Sequence, residues 1–193
     1  MALGTYLQLK SSIASWMHRS DLTSVIPDFV ALAESAIRRD LRCRAMVTTQ
    51  TGTLSATTLA VPTRFAAVKR ILLDGYEVNY VTPAAWAVQD SNSGGSSYTI
   101  IGDNFAFQSS SATYTLEYYA WFAAFTDDAD TNWLLTYHPG VYLFAALAEA
   151  MIYIQGDPTI HLAKYQSALQ RVRAADNNFG GPVRVAVRPE AVV

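Results

Sequence analysis

Between Val141 and Ile154 every residue except Glu149 is apolar or aromatic. A helix on a protein surface keeps one polar face, so a segment that is apolar all round has to be enclosed, at the centre of a bundle or in an oligomer contact. It falls short of the ~20 residues that a membrane span needs. The rest of the chain must therefore supply its cover. Of 193 residues 51% are hydrophobic and only 16% charged, against about 25% charged in typical domains, which fits one sparsely charged folded domain, with or without an insertion. The single cysteine, Cys43, excludes an internal disulfide framework and a cysteine-based zinc cluster. Residues 1–10 lack the basic flank and apolar run of a signal peptide, and no segment is apolar for the length of a span, so a soluble protein folded inside the cell, without a membrane role, is expected.

Helical signals stand at both ends. Thr5 is placed to cap a helix running to about His18, with Tyr6, Leu9, Ile13, Trp16 and Met17 on one stripe. Pro27 suits the first turn of a second helix, in which Phe29, Leu32, Ala33, Ala36, Ile37 and Leu41 recur at helical spacing. Its other face is charged, and Glu34–Arg38 and Asp40–Arg44 read as i,i+4 pairs. Near the C-terminus Asp130 or Thr131 can cap a short turn through Leu135, Pro139 opens the apolar helix, and a last helix to about Asn177 turns Leu162, Tyr165, Leu169 and Val172 inward.

Between these blocks, from Met46, the period changes from 3.6 to 2. Arg70–Leu73, the turn pair Asp74-Gly75 and Tyr76–Val81 read as a hairpin with a type I′ turn. Pro83–Gln89 can hold a short helix, and Asp90–Ser97 reads as a Ser/Gly-rich loop. A second hairpin spans Tyr98–Gln108 around Gly102–Asn104, followed by a strand over Thr113–Trp121. About five strands are expected, in a small antiparallel sheet or barrel. The run Pro182–Pro189 alternates Val with Arg or Ala and has no neighbouring partner strand. An edge strand of its own domain, a frayed terminus, or strand addition to another protein all fit it.

Charge is segregated along the chain. Residues 38–70 hold Arg38, Arg39, Arg42, Arg44, Arg64, Lys69 and Arg70 against Asp40 alone, whereas residues 71–163 hold ten carboxylates and no Lys or Arg. Those carboxylates must face water, a repelled polyanion, or cations on another segment or subunit. The slightly acidic total argues against a typical nucleic-acid reader and makes protein carboxylates better partners for the arginines than phosphates.

Signatures of catalysis are missing. The sequence contains no phosphate loop, dinucleotide glycine fingerprint, His-Glu-x-x-His helix or Gly-x-Ser-x-Gly elbow. His18, His138 and His161 are far apart, which leaves capping, packing or surface roles for each. Asp128, Asp130 and Asn132 imitate the start of a calcium loop, yet Trp133 occupies the glycine position and Pro139 the twelfth, so they read as helix-start residues. Glu149 would be costly to bury unless paired, with an arginine such as Arg38 or Arg42 as the expected partner. Cys43 reads as a packed thiol. No catalytic residue, cofactor or metal is assigned.

In order and spacing, several runs together resemble one family over nearly the whole chain. They are Trp16–Thr23, Ile26–Glu34 with Arg38–Arg42, Val61–Phe65 ahead of Leu73-Asp74-Gly75, Tyr80–Pro83, Thr131–Leu135, Tyr137–Pro139 and Tyr142–Ala150. The family is that of the head-to-tail adaptors of short-tailed bacteriophages, although Pro62-Thr63-Arg64-Phe65 departs from the more acidic form of that loop. The resemblance implies an α+β fold: N- and C-terminal helices (1–45 and 125–180) forming a bundle, an inserted antiparallel β-rich region (46–124) and an extended C-terminal arm (181–193). It implies a structural virion protein at the head–tail junction, assembled in the host cytoplasm. A dodecameric ring would dock under the portal protein, connect it to the tail nozzle or other tail proteins, and let double-stranded DNA pass without sequence-specific binding.

The arm residues Val183, Arg184, Val185, Val187 and Arg188 would dock on the portal. Glu34, Arg38, Arg39, Arg42, Arg44 and Glu149 are the candidates for contacts between subunits. Two other readings remain: another tail-completion or tail-tube component, and a small glycan or peptidoglycan hydrolase using Glu149 or Glu34 with an aspartate. A carbohydrate-binding module on Tyr98, Tyr114, Tyr118, Tyr119 and Trp121 is a weaker third.

Overall fold

The computed structural model describes residues 3–88 and 97–179. Its fold is α+β, and its contacts divide it into two compact units, one formed by the residues up to Leu41 with those from Ala124 on, the other by Arg42–Ala123.

In the first unit, helix α1 spans Tyr6–Met17. Thr5 accepts a hydrogen bond from the Gln8 amide while the Gln8 side chain accepts from the Thr5 amide, so the first turn is closed in both directions. The helix stops where His18 takes a left-handed conformation (φ 53°). Helix α2, Ile26–Asp40, carries Pro27 in its first turn and buries Ile26, Phe29, Val30, Ala33, Glu34 and Ile37. The expected stripes shift at two places: Trp16 is half exposed, and Leu32 faces water while Val30 turns inward. The helix also ends at Asp40, with Leu41 already extended. Arg44 therefore lies beyond it, and Asp40–Arg44 is not a helical i,i+4 pair.

The apolar segment forms helix α5, Pro139–Tyr153, after helix α3 of the other unit, Pro83–Ala87, and the short helix α4, Trp133–Tyr137. Asn132, rather than Asp130 or Thr131, caps α4 by accepting from the Leu135 amide at 2.9 Å. Helix α5 packs against α1, α2, α4 and α6 (Thr159–Phe179), so it is the centre of the bundle, and Tyr142, Ala146, Leu147 and Ala150 are fully buried. Its C-terminal end is different, because Ile152 and Tyr153 are exposed. Along α6, Tyr165, Leu169 and Val172 point inward as expected, but Leu162 does not.

Among the described residues, the second unit holds eight strands in two sheets. One sheet has the order β1-β8-β3-β4 and is antiparallel throughout; the other has the order β2-β7-β6-β5. The strands are β1 Val47–Thr53, β2 Thr58–Ala60, β3 Phe65–Leu73, β4 Tyr76–Glu77, β5 Asn79–Tyr80, β6 Ser97–Ile101, β7 Asn104–Phe107 and β8 Thr113–Ala120. A 3-10 turn, Arg44–Met46, precedes them. The Asp74-Gly75 turn has positive φ at both residues (48° and 85°), as a type I′ turn requires, and Asp74 is held there by hydrogen bonds that Thr113 donates from its amide (2.8 Å) and hydroxyl (2.7 Å).

The returning strand is not continuous, and two four-stranded sheets with one parallel pairing stand where about five strands in a small antiparallel sheet or barrel were expected. After β4 the chain changes sheet at Val78, and Asn79–Tyr80 pairs with β6 in parallel. One core serves both sheets, combining Ile71, Leu116 and Tyr118 from the first with Tyr98, Phe105 and Phe107 from the second.

Candidate functional site

The charged face of α2 is the first candidate. Glu34 is buried and stands 3.7 Å from the Arg38 guanidinium. Burial raises the Glu34 carboxyl above its usual value, opposed by the Arg38 charge and a hydrogen bond from the Phe125 backbone. Behind it lies Tyr142, whose hydroxyl accepts from the Asn132 side chain at 2.9 Å. The same asparagine that caps α4 thus fixes the tyrosine at the centre of the bundle. Burial pushes the Tyr142 hydroxyl far above its usual range, so it stays protonated.

At the end of α2, Asp40 accepts from the Tyr165 hydroxyl (3.0 Å) and from Arg39 Nε (3.1 Å), and its carbonyl accepts from Arg173. In the other unit, the Arg42 guanidinium lies over the Trp121 ring at 4.0 Å, and Arg44 begins the 3-10 turn. Glu34 and Arg38 are thus brought together. Glu149 is half-buried on α5 and makes no ion pair with Arg38 or Arg42, contrary to the expected pairing. Val183, Arg184, Val185, Val187 and Arg188 lie outside the described residues, as does the loop at 89–96.

The acidic stretch is partly neutralised by cations from other segments. Asp128 pairs with Lys10 at 2.6 Å, and Glu117 with Arg70 (2.5 Å) and Lys69 (3.4 Å). Asp130 accepts from the amides of Thr126 and Asp127, and Asp157 from the amide and hydroxyl of Thr159. In the segment that imitates a calcium loop, Asp128 Oδ1, Asp130 Oδ2 and Asn132 Oδ1 are thus each engaged within the chain, and no group of ligand side chains suited to a metal occurs among the described residues. Cys43 is buried and in no disulfide. Tyr98, Tyr114 and Tyr118 are buried in the core, which removes them from a carbohydrate platform.

One feature the sequence reading missed is a cavity of about 420 Å³ in the helical unit, where the start of α5 faces α6. Tyr137, His138, Phe144, Lys164, Ser167 and Arg171 line it. Lys164, Ser167 and Arg171 recur three to four residues apart, the spacing of one helix face, and that stripe was legible. The wall was not, because it needs Phe144 set edge-on to Trp16 (5.7 Å) with Lys164 Nζ above both rings at 5.2 and 5.4 Å. The lining contains no carboxylate, so it offers no acid–base pair for glycoside cleavage. It can receive an anionic or aromatic group.

The structure is thus a helical bundle around α5, apolar but for Glu149, with a two-sheet region inserted in its sequence. The family model described as SU10 adaptor protein matches residues 4–186, nearly the whole chain, and the chain belongs to that family of structural phage adaptor proteins, parts of the virion. A comparison with curated proteins gives no match. No described helix is long and apolar enough to cross a membrane.

Proposed function

We propose that this chain is the head-to-tail adaptor that docks as a dodecameric ring under the portal and joins it to the tail nozzle around the DNA channel. The observation that carries the reading is the family match over residues 4–186. The bundle and its inserted β-rich region form the ring subunit. The alternating segment Val183, Arg184, Val185, Val187 and Arg188 reaches the portal and binds by strand addition, with backbone hydrogen bonds giving affinity and valines filling pockets. Arg38, Arg39, Arg42 and Arg44 meet carboxylates of neighbouring subunits, supported by a stretch of ten acidic residues without a Lys or Arg of its own. DNA passes a subunit of net charge −2, which repels the duplex rather than gripping it.

The test is native mass of the purified chain alone and with the portal ring of the same genome. A discrete complex with about one copy per portal subunit supports the reading, and no complex across a range of salt overturns it. Removing residues 182–193 abolishes portal binding with thermal unfolding nearly unchanged if the arm docks. Ring formation untouched by Arg42→Glu counts against the arginine contacts.

A further inference from the structure

The C-terminal end of α5 is where the bundle leaves its central apolar helix uncovered. Ile152 and Tyr153 are 56% and 55% exposed, and Phe29 of α2 holds the Tyr153 ring edge-on at 5.3 Å. One turn back stands Glu149, half-buried and without an ion pair or hydrogen bond among the described residues. Helix positions three and four apart are neighbours on one face. Glu149, Ile152 and Tyr153 therefore present a carboxylate, an aliphatic and an aromatic side chain on the same side of α5.

The same helical unit carries a surface of the opposite kind. The cavity at the start of α5 is lined by two cations and no carboxylate. Lys164 rests on the rings of Trp16 and Phe144, and Arg171 makes no ion pair or hydrogen bond among the described residues. Tyr137 completes its aromatic wall, 74% exposed. From Lys164 to Arg171 the cleft runs along about 10 Å of α6, enough for the one helical turn, about 6 Å, that separates Glu149 from Tyr153. Glu149 follows Phe144 by five residues, about 140° round α5. The cleft and the α5 end are thus separate surfaces on one helix, and a single copy cannot bring its own two together.

We infer that the Glu149/Ile152/Tyr153 face of one copy lies in the Lys164/Arg171 cleft of the next copy, Glu149 between the two cations and the apolar pair against Tyr137 and Phe144. This is a helix face laid in a groove between two helices. Unlike surfaces meeting head to tail generate a closed ring when the rotation between copies closes. The contact covers the end of the apolar run and gives Glu149 and Arg171 the charge that each lacks within its own chain. Phe29 already orders the Tyr153 ring, so less freedom is lost on docking. The inference rests on the ring proposed above and names one of its contacts.

The test mixes two full-length variants in equal amounts, Ile152→Cys and Ser167→Cys, with the portal ring of the same genome under mild oxidation. Neither carries both new thiols, so a disulfide between 152 and 167 has to join two copies; the buried Cys43 is present in each and serves as the background. Charge variants Glu149→Lys, Arg171→Glu and the double exchange are assembled in parallel. Glu149→Gln is added as a milder change, and thermal melts confirm that each variant is folded. The expected results are a 152–167 cross-link, about tenfold fewer assembled copies for either single reversal, and recovery in the double exchange. Assembly of the unmodified chain with no cross-link and no effect of Arg171→Glu or Glu149→Gln overturns this contact alone and leaves the ring standing. Failure of the unmodified chain to form any multi-copy assembly overturns the ring and this contact together. Duplex DNA binding that Arg171→Glu abolishes, without a cross-link, overturns it in favour of a phosphate site.

Discussion

The Tyr165 hydroxyl donates to Asp40 Oδ2 at 3.0 Å, tying the last helix to the final residue of α2 across 125 positions of sequence. Burial and the neighbouring Asp40 charge both raise the phenol far above its usual range, so it remains a donor at all ordinary pH. Asp40 is also where α2 loses its helical hydrogen bonding. Tyr165→Phe keeps the ring in the core and removes the donor. A loss of about 1–2 kcal/mol in urea unfolding is expected, the usual cost of leaving a half-buried acceptor unpaired. An unchanged midpoint refutes this account of the junction.

Glu34 gives a pH signature. Its carboxyl is raised chiefly by burial, so the folded state holds a proton that the unfolded chain releases near 4.5. The stability linked to that proton is complete below the unfolded value and is lost as pH rises through the folded one. Glu34→Gln, which cannot ionise, should therefore gain on the parent as pH climbs from about 4.5 towards neutrality and then level off. Thermal melts across that range check the sign; a gain that grows towards acid contradicts it.

Asn132 performs two tasks, capping α4 through the Leu135 amide and donating to Tyr142. Asn132→Ala removes both and should cost about 2–3 kcal/mol, compared with about 1 kcal/mol for Tyr142→Phe, which removes only the second. Comparing the two by denaturant unfolding separates the cap from the buried bond, and equal losses would show that the cap contributes nothing.

In β1, Gly52 lies under the Tyr114 ring. A Cβ there would stand 2.9 Å from the ring atoms, and Tyr114 cannot swing away without breaking its hydrogen bond from Gln50 (3.1 Å). Gly52→Ala should destabilise by about 1–3 kcal/mol. Coupling this change with Tyr114→Phe, which frees the ring, should recover part of the loss in a double-mutant cycle.

Much of the fold was legible in local patterns. The Thr5 cap, the first-turn prolines of α2 and α5, and the Asp74-Gly75 turn each rest on chemistry confined to a few neighbouring residues, and all occur where expected. The apolar run also announced an enclosed place, at a bundle centre or in an oligomer contact, and most of it lies at the centre of the bundle, with Ile152 and Tyr153 exposed. What escaped was set by distant partners. Trp16 sits at a rim because Phe144 and Lys164 hold its edge there, and Glu34, rather than Glu149, became the buried acid because α2 carries it into the bundle.

The split of the β-rich region into two sheets escaped for the same reason. Tyr76–Val81 has one continuous alternation, and only tertiary pairing makes it serve β3 first and β6 afterwards. The cavity was half visible, as a basic stripe on α6 without its aromatic wall.

The crossing at Val78 is a covalent link between two sheets that also share a core. The Val78 amide still donates to Ile71 of the first sheet at 3.1 Å, while the next two residues belong to the second. Prising the sheets apart would break the shared core together with the consecutive pairings on either side of Val78, so the two sheets are expected to open together. Slow amide exchange should report a single opening free energy for Ile71, Leu116, Phe105 and Thr99 alike, which would make the insertion one mechanical block that transmits a load without shearing.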